Sequence, residues 1–457
     1  MRAALAIRPL HAAALAFGLA ATAAPAESLT DALASAYLNS DLLDQQQALL
    51  RAADEDVAQA VAALRPIIDY TAQATHVTPE PLSGSPTASL GVSLSMLLYD
   101  FGGSQLAVEQ VKETVLATRS ALTAVEQQVL LRAVAAFVGV RQAQALVSVN
   151  ENNVRLISEE LRAARDRFEV GEVTRTDVSL AEARLAAARA GLAAQQGALV
   201  RAREEYRAAV GRFPGTLTAP RTTPSVPPSL EAAKSIARGR HPDIEQAQHQ
   251  VAAAEIGVAR AETALYPSLR GTASASLDED GDTSASVGIN LSGPIYRGGA
   301  LTSAIRQVAA RRDASRSGLL ATVLDIEQNV GNAWANLAVA IASLEANDRQ
   351  VEAAQLALEG LREELRLGAR TTLDVLQQQQ EVLDARTDRV NTESDRVFAI
   401  YALLEAMGLL TVEHLGLAVP TFDPDAYYST VESAPTVLVS PEGERLDRVL
   451  RAIGRSE

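Results

Sequence analysis

The chain has 457 residues, 47% of them hydrophobic but only 4% aromatic, with 18 Pro, 27 Gly and no Cys. Its 41 basic and 56 acidic side chains leave a net charge of −15, which argues against nucleic acid as a partner. The missing cysteine excludes disulfides, thiol chemistry and lipidation of an N-terminal Cys, and the Ala-rich composition favours close helix packing.

Residues 1–26 combine Arg2 and Arg8 with an apolar run from Ala12 to Ala21 and a small-residue exit at Ala24-Pro25-Ala26. This is the pattern of a secretory signal peptide cut before Glu27, with an apolar run shorter than the ~20 residues that span a bilayer. Its removal takes away two Arg, so the exported chain carries 39 basic and 56 acidic groups, net −17. No later segment approaches ~20 uninterrupted apolar residues, so a helical membrane span is not expected, whereas a β-barrel stays open.

The exported chain is a long internal repeat, 27–210 and 231–415, joined by a Pro-rich linker at 211–230 and followed by a tail at 416–457. Gln45, Val57, Ala63, Leu64 and Pro66 recur 201 residues on as Gln246, Val258, Ala264, Leu265 and Pro267. Tyr99 and Tyr296, Gly171 and Gly368, and Asp177 and Asp374 are each 197 apart, so the four-residue difference lies in the segment between Pro66 and Tyr99, which is shorter in the second copy. Length variation of that kind belongs in loops.

Those intervening segments alternate with a period of two. Ile68, Tyr70, Ala72 and Ala74, then Leu90, Val92, Leu94 and Met96, are interleaved with small polar residues. Leu269, Ala273, Ala275 and Leu277, then Ala285, Val287, Ile289 and Leu291, repeat the pattern. The spacing predicts two strand hairpins, at about 66–101 and 267–296, turning at "VTPEPLSGSP" and "DEDGD". Alternation alone fits a lipid-facing barrel and an ordinary soluble sheet equally. Four strands cannot close a spanning barrel, for which the smallest known number is eight, so a barrel demands oligomerisation, and three copies supply twelve strands. Tyr99 and Tyr296 sit at matched strand ends, with Phe101 close by, where an interfacial aromatic belt would lie.

From about Gly103 to Phe168 and from Gly299 to Leu365 no Pro intervenes, and each run predicts a helix of roughly 100 Å at ~1.5 Å per residue. Val108, Val115, Leu122 and Val129 fall seven apart, as do Val178, Leu185, Leu192, Leu199 and Tyr206, and Leu376, Leu383, Val390, Val397 and Leu404. Sustained heptads imply left-handed coiled-coil packing, so each long helix should turn back on a second one. The tips of these two hairpins, about 168–176 and 365–373, carry the echoed segments "VGEVTRTDVS" and "LGARTTLDVL".

"RLGARTTLDVL", "HPDIEQAQ", "LYDFGG" and "GRFPGTLTAP", in this order and this duplicated arrangement, make the chain resemble the TolC family of outer-membrane efflux and secretion channels. The resemblance implies a mainly α fold with a small β part: in a homotrimer, a twelve-stranded barrel in outer-membrane lipid continuous with a helical periplasmic tunnel. An equatorial layer of shorter helices would wrap the tunnel, with the Pro-rich linker and the residues after Leu415 contributing to it, the tail 416–457 being equatorial or partly disordered. It implies a periplasmic adaptor and an inner-membrane transporter of RND or ABC type as partners. It implies that Val170-Gly171-Glu172 and Leu367-Gly368-Ala369 meet the adaptor, although each glycine also suits a simple turn. At the entrance Asp374 matches the constriction aspartate, Arg370 and Asp177 match residues that hold the entrance shut, and Gln377 stands where the best-known member has a second aspartate. N-terminal capping of a helix is the alternative role for Asp177.

Other functions find little support in these residues. The five His (His11, His76, His241, His249 and His414) form no close metal-ligand pair, and neither a phosphate-binding loop nor a nucleophile setting is present, so neither enzyme activity, metal nor cofactor is expected. "LYDFGG" contains Asp-Phe-Gly without a kinase companion motif. A periplasmic coiled-coil adaptor or scaffold would share the export signal and a hairpin, but needs one hairpin and no lipid-facing strands.

Overall fold

The computed structural model describes residues 27–76, 86–220, 223–435 and 448. The expected signal peptide, most of the first strand turn and nearly all of the tail beyond 435 lie outside the described residues. The repeat is visible in the order of elements. First come α1 (Leu29–Leu38), α2 (Asp41–Ala62), β1 (Ile67–His76), β2 (Pro86–Tyr99), α3 (Gly103–Glu169) and α4 (Arg175–Val210). Then the pattern recurs as α5 (Leu230–Arg240), α6 (Pro242–Thr263), β3 (Ser268–Asp278), β4 (Thr283–Ser292), α7 (Ala300–Arg366) and α8 (Thr372–Ala406), and α9 (Pro424–Val431) follows.

Helices α3 and α7 have 67 residues each, roughly 100 Å at ~1.5 Å per residue, and they pack along α4 and α8 as two antiparallel hairpins. The heptad positions form the packed seams: Val108, Val115, Val129, Leu185, Tyr206, Val397 and Leu404 are all buried. Both long helices begin after a glycine with φ of 84°, Gly102 and Gly299, which lets the chain swing sharply out of the sheet. The most apolar stretch of α3, Val129 to Val140, lies in the main core, where Leu130, Val134 and Phe137 meet Leu33 of α1, Tyr206 of α4, Ile244 of α6 and Leu403 of α8. Both repeats therefore share one core at the middle of the molecule.

The four strands form one antiparallel sheet in the order β1-β2-β3-β4. Its register sorts the two side-chain classes onto opposite faces. Ile68, Leu94, Ala273 and Val287 make one row across all four strands, and Tyr70, Val92, Ala275 and Ala285 make another. Between them on the other face run Asp69, Ser93, Ser274 and Ser286, then Thr71, Gly91, Ser276 and Ser284. Nothing among the described residues covers the apolar rows: Ile68, Tyr70, Val92 and Val287 are all exposed. Among the described residues β1 and β4 each have one strand neighbour, so the sheet is open at both edges.

The linker residues 211–220 secure the start of the described chain. Buried Glu27 accepts hydrogen bonds from the Tyr206 hydroxyl (2.6 Å), Arg212 (2.8 Å) and the Gly215 amide (3.2 Å). Helix α9, in the tail after Leu415, straps α2 and α3. Tyr427 donates to Glu55 (2.6 Å), Asp425 pairs with Arg119 (2.7 Å), and the Arg119 guanidinium lies over the Tyr428 ring.

Candidate functional site

Each hairpin turns on the same ten-residue device. After α3, Gly171 takes φ of 82°, its N–H donates to the Phe168 carbonyl (3.0 Å), and the Glu172 N–H donates to the Arg167 carbonyl (2.8 Å). After α7, Gly368 takes φ of 75°, with Gly368 N–H on Leu365 (3.0 Å) and Ala369 N–H on Glu364 (2.9 Å). This pair of bonds closes a helix end through a left-handed residue, a conformation favouring glycine. A Cβ added to either glycine would meet nothing within 4 Å, so conformation alone restricts these positions inside the chain. Val170, Gly171, Glu172, Leu367, Gly368 and Ala369 are all exposed at the extreme tips.

Three residues beyond each turn the next helix begins with a capping box. Thr174 Oγ1 and its backbone N–H donate to Asp177 Oδ2 (2.7 and 2.9 Å), and Thr371 makes the same two bonds to Asp374 Oδ2 (2.9 Å each). Asp177 and Asp374 are therefore third-position partners of threonine caps, rather than caps themselves. The T-x-x-D spacing carried that signal. For Asp177 the Thr174 side chain and then its backbone N–H hold the carboxyl below the usual carboxylate range. For Asp374 the backbone N–H of Thr371 does so first and its hydroxyl second, with Arg370 a minor contributor. Both bonds at each site use Oδ2.

Arg370 donates through Nε to Glu364 of its own hairpin at 2.8 Å, and this bond and charge raise its pKa. Within the chain it does not meet Asp177. Glu364 was not identified from sequence, and neither was the link between the hairpins, Arg362 of α7 on Glu160 of α3 at 3.1 Å. Gln377 is exposed one turn beyond Asp374.

At the other end of the long helices the Tyr99 and Phe101 rings lie 4.9 Å apart, and Phe101 stacks on Tyr266 at 4.8 Å. Tyr266 extends the expected aromatic group across the two repeats; its counterpart 201 residues earlier is Arg65, so repeat matching hid it. Tyr296, at the corresponding point after β4, is 87% exposed. The chain thus has an apolar-faced sheet with an aromatic cluster at one end, two glycine-tipped hairpins with paired carboxylates at the other, and roughly 100 Å of helix between them.

A family model described as outer membrane efflux protein matches residues 32–212 and 234–409. The chain belongs to the outer membrane efflux protein family. It is 36% identical over 433 residues to the outer membrane efflux protein BepC of Brucella suis biovar 1 (strain 1330), covering 93% of this chain and 95% of that one. It is 24% identical over 352 residues to the alkaline protease secretion protein AprF of Pseudomonas aeruginosa, covering 72% of each. The solved structure of the outer membrane protein VceC from Vibrio cholerae superimposes with a TM-score of 0.72 at 21% identity, covering 83% of this chain and 96% of that one. As an outer membrane efflux protein, the chain is an exit channel in the outer membrane, of the kind that serves efflux or type I secretion, with a large periplasmic helical part. The exposed apolar rows of the sheet are then the lipid face, and the periplasmic scaffold reading, which has no use for them, is set aside.

Proposed function

We propose that three copies close the sheet into a twelve-stranded barrel and the hairpins into one tunnel, through which cargo passes without chemical change. The open edges of an apolar-faced, four-stranded sheet carry this reading, because a spanning sheet must leave no backbone unpaired in lipid. The internal repeat supports it. Inside the chain α3 packs on α8, where Gln142 donates to Asn391 at 2.9 Å. The repeat-related residues, 197 away, are Val339 of α7 and Ala194 of α4, and both are exposed. The α7 of one copy thus meets the α4 of the next, repeating the inner seam around the ring.

The narrow end of this tunnel is the entrance. Three Asp374 carboxylates, held ionised by Thr371, form its acidic ring with Gln377 behind them. Arg370 and Asp177 link neighbouring hairpins while Glu364 and Thr174 hold them in place. The exposed tips, Val170-Gly171-Glu172 and Leu367-Gly368-Ala369, receive a periplasmic adaptor that connects an inner-membrane transporter of RND or ABC type. Single-channel recording in planar bilayers tests the gate: Arg370→Ser is expected to raise conductance, and Asp374→Asn to weaken cation selectivity without comparable opening. Equal conductance of wild type and Arg370→Ser at several salt concentrations would remove Arg370 from the gate.

A further inference from the structure

Five residues beyond Asp374, Gln379 of α8 is 2% exposed, and neither Oε1 nor Nε2 of its amide has a hydrogen-bond partner among the described residues. A buried amide left in this state is costly unless something enters the space beside it. That space exists. A cavity of about 200 Å³ lies where α3, α7 and α8 meet, and its polar lining is Gln379, Asn153, Gln355, Glu359, Arg362 and Arg386. At ~30 Å³ of liquid per water it holds about six waters, or one small polyatomic ion with a water or two.

The lining selects the ion. Arg362 uses Nε on Glu160 at 3.1 Å, and Arg386 uses Nε and Nη2 on the Gln355 carbonyl at 3.2 and 3.0 Å once that amide is turned to accept. The remaining guanidinium N–H groups, Gln379 Nε2 and the Asn153 amide are donors, whereas the only carboxylate in the lining, Glu359, belongs to an exposed residue. Donors thus outnumber acceptors, and Gln379 Oε1 requires one hydroxyl or N–H in return.

We propose that this cavity binds a small oxyanion carrying a hydroxyl, hydrogencarbonate or dihydrogen phosphate, and that the bound ion ties α3 to α7 and α8 behind the entrance. At ~1.5 Å per residue Gln379 lies roughly 8 Å along the helix from Asp374, so an ion there braces the seam that must open. Binding is independent of the gate reading; only the bracing rests on it.

The test is thermal unfolding of the purified full-length channel in detergent at constant ionic strength, titrated separately with bicarbonate, inorganic phosphate and chloride. A saturable rise in Tm with bicarbonate or phosphate but not chloride, abolished in Gln379→Leu and weakened in Arg386→Gln, is expected; whichever oxyanion acts at lower concentration is the ligand. An equal response to all three salts, an unchanged response in both variants, or no response at all would overturn the site. If Gln379→Leu does not assemble, Arg386→Gln decides alone. In bilayers the active oxyanion should lower the conductance of wild type and not of Gln379→Leu. A normal Tm response with unaltered conductance would overturn the bracing, and the Arg370→Ser recording shows separately whether the gate reading has failed.

Discussion

The register of the sheet makes opposite predictions for two neighbouring residues. Val287 and Ser286 are adjacent in β4, in the middle of a ten-residue strand, but Val287 ends the apolar row that starts at Ile68, and Ser286 ends the polar row that starts at Asp69. Val287 is 88% exposed in the chain, so it is lipid that would cover it. An arginine near the bilayer midplane on the lipid face of a barrel costs about 2–4 kcal/mol, hence on the order of 6–12 kcal/mol over three copies. The same side chain on the lumen face stays in water and costs little. Val287→Arg is therefore expected to abolish or sharply reduce the detergent-resistant oligomer in outer-membrane fractions, measured by semi-native electrophoresis after graded heating. Ser286→Arg should leave the oligomer near wild-type levels. Normal assembly of Val287→Arg with failure of Ser286→Arg would invert the faces and refute the lipid-facing assignment.

Asp54 of α2 is 1% exposed beneath the α9 strap, neither of its carboxylate oxygens has a hydrogen-bond partner among the described residues, and burial raises its pKa from 3.8 to about 6 despite Arg119, with Glu55 and Asp425 adding to the rise. The folded state then binds the proton more tightly than the unfolded one. The contribution of Asp54 to stability is therefore greatest below pH 4 and is lost as pH rises to about 6, by up to roughly 3 kcal/mol at ~1.36 kcal/mol per unit. Asp54→Asn should raise the thermal midpoint at pH 7.5 and leave it nearly unchanged at pH 4; an equal gain at both would show that ionisation is not the cause. At the tips, Asn tolerates the left-handed backbone that Gly171 and Gly368 adopt, so Gly→Asn keeps the turn while adding a side chain. Export through the assembled channel should drop in both Asn variants if an adaptor approaches these backbones closely, and stay normal if the glycines serve only to turn the chain.

Much of this architecture was legible because it is periodic or duplicated. The 197-residue spacing of Gly171 and Gly368, the heptads through Leu185 and Leu404 and the two-residue alternation through Val287 are local patterns with one geometric outcome each. The sequence-based range for the first long helix, Gly103 to Phe168, differs from the observed Gly103–Glu169 by one residue, and the left-handed turn at Gly171 ends it there. Side-chain partners chosen by packing were less accessible. Arg362 meets Glu160 across 202 residues, and Tyr266 joins Phe101 across 165, through helix and strand placement that no short window encodes. Helix α9 has a local start signal in Asp423-Pro424, but its docking through Tyr427 on Glu55 and Asp425 on Arg119 joins residues more than 300 apart, which no short window encodes. The local bonds of Asp177 and Asp374 to Thr174 and Thr371 follow from their T-x-x-D spacing, whereas any contact of their carboxylates across neighbouring hairpins is not encoded in so short a pattern.

The chain contains no cysteine, so an engineered pair reports a single contact. Val339→Cys with Ala194→Cys places one thiol on α7 and one on α4, at the positions repeat-related to the Gln142–Asn391 contact inside the chain. Oxidation in intact cells, followed by non-reducing electrophoresis of outer-membrane fractions, should give dimers and then a dominant covalent trimer, none of which forms with either single substitution. A chain that remains monomeric under oxidation, or that is recovered in the soluble periplasmic fraction, would contradict the three-copy channel.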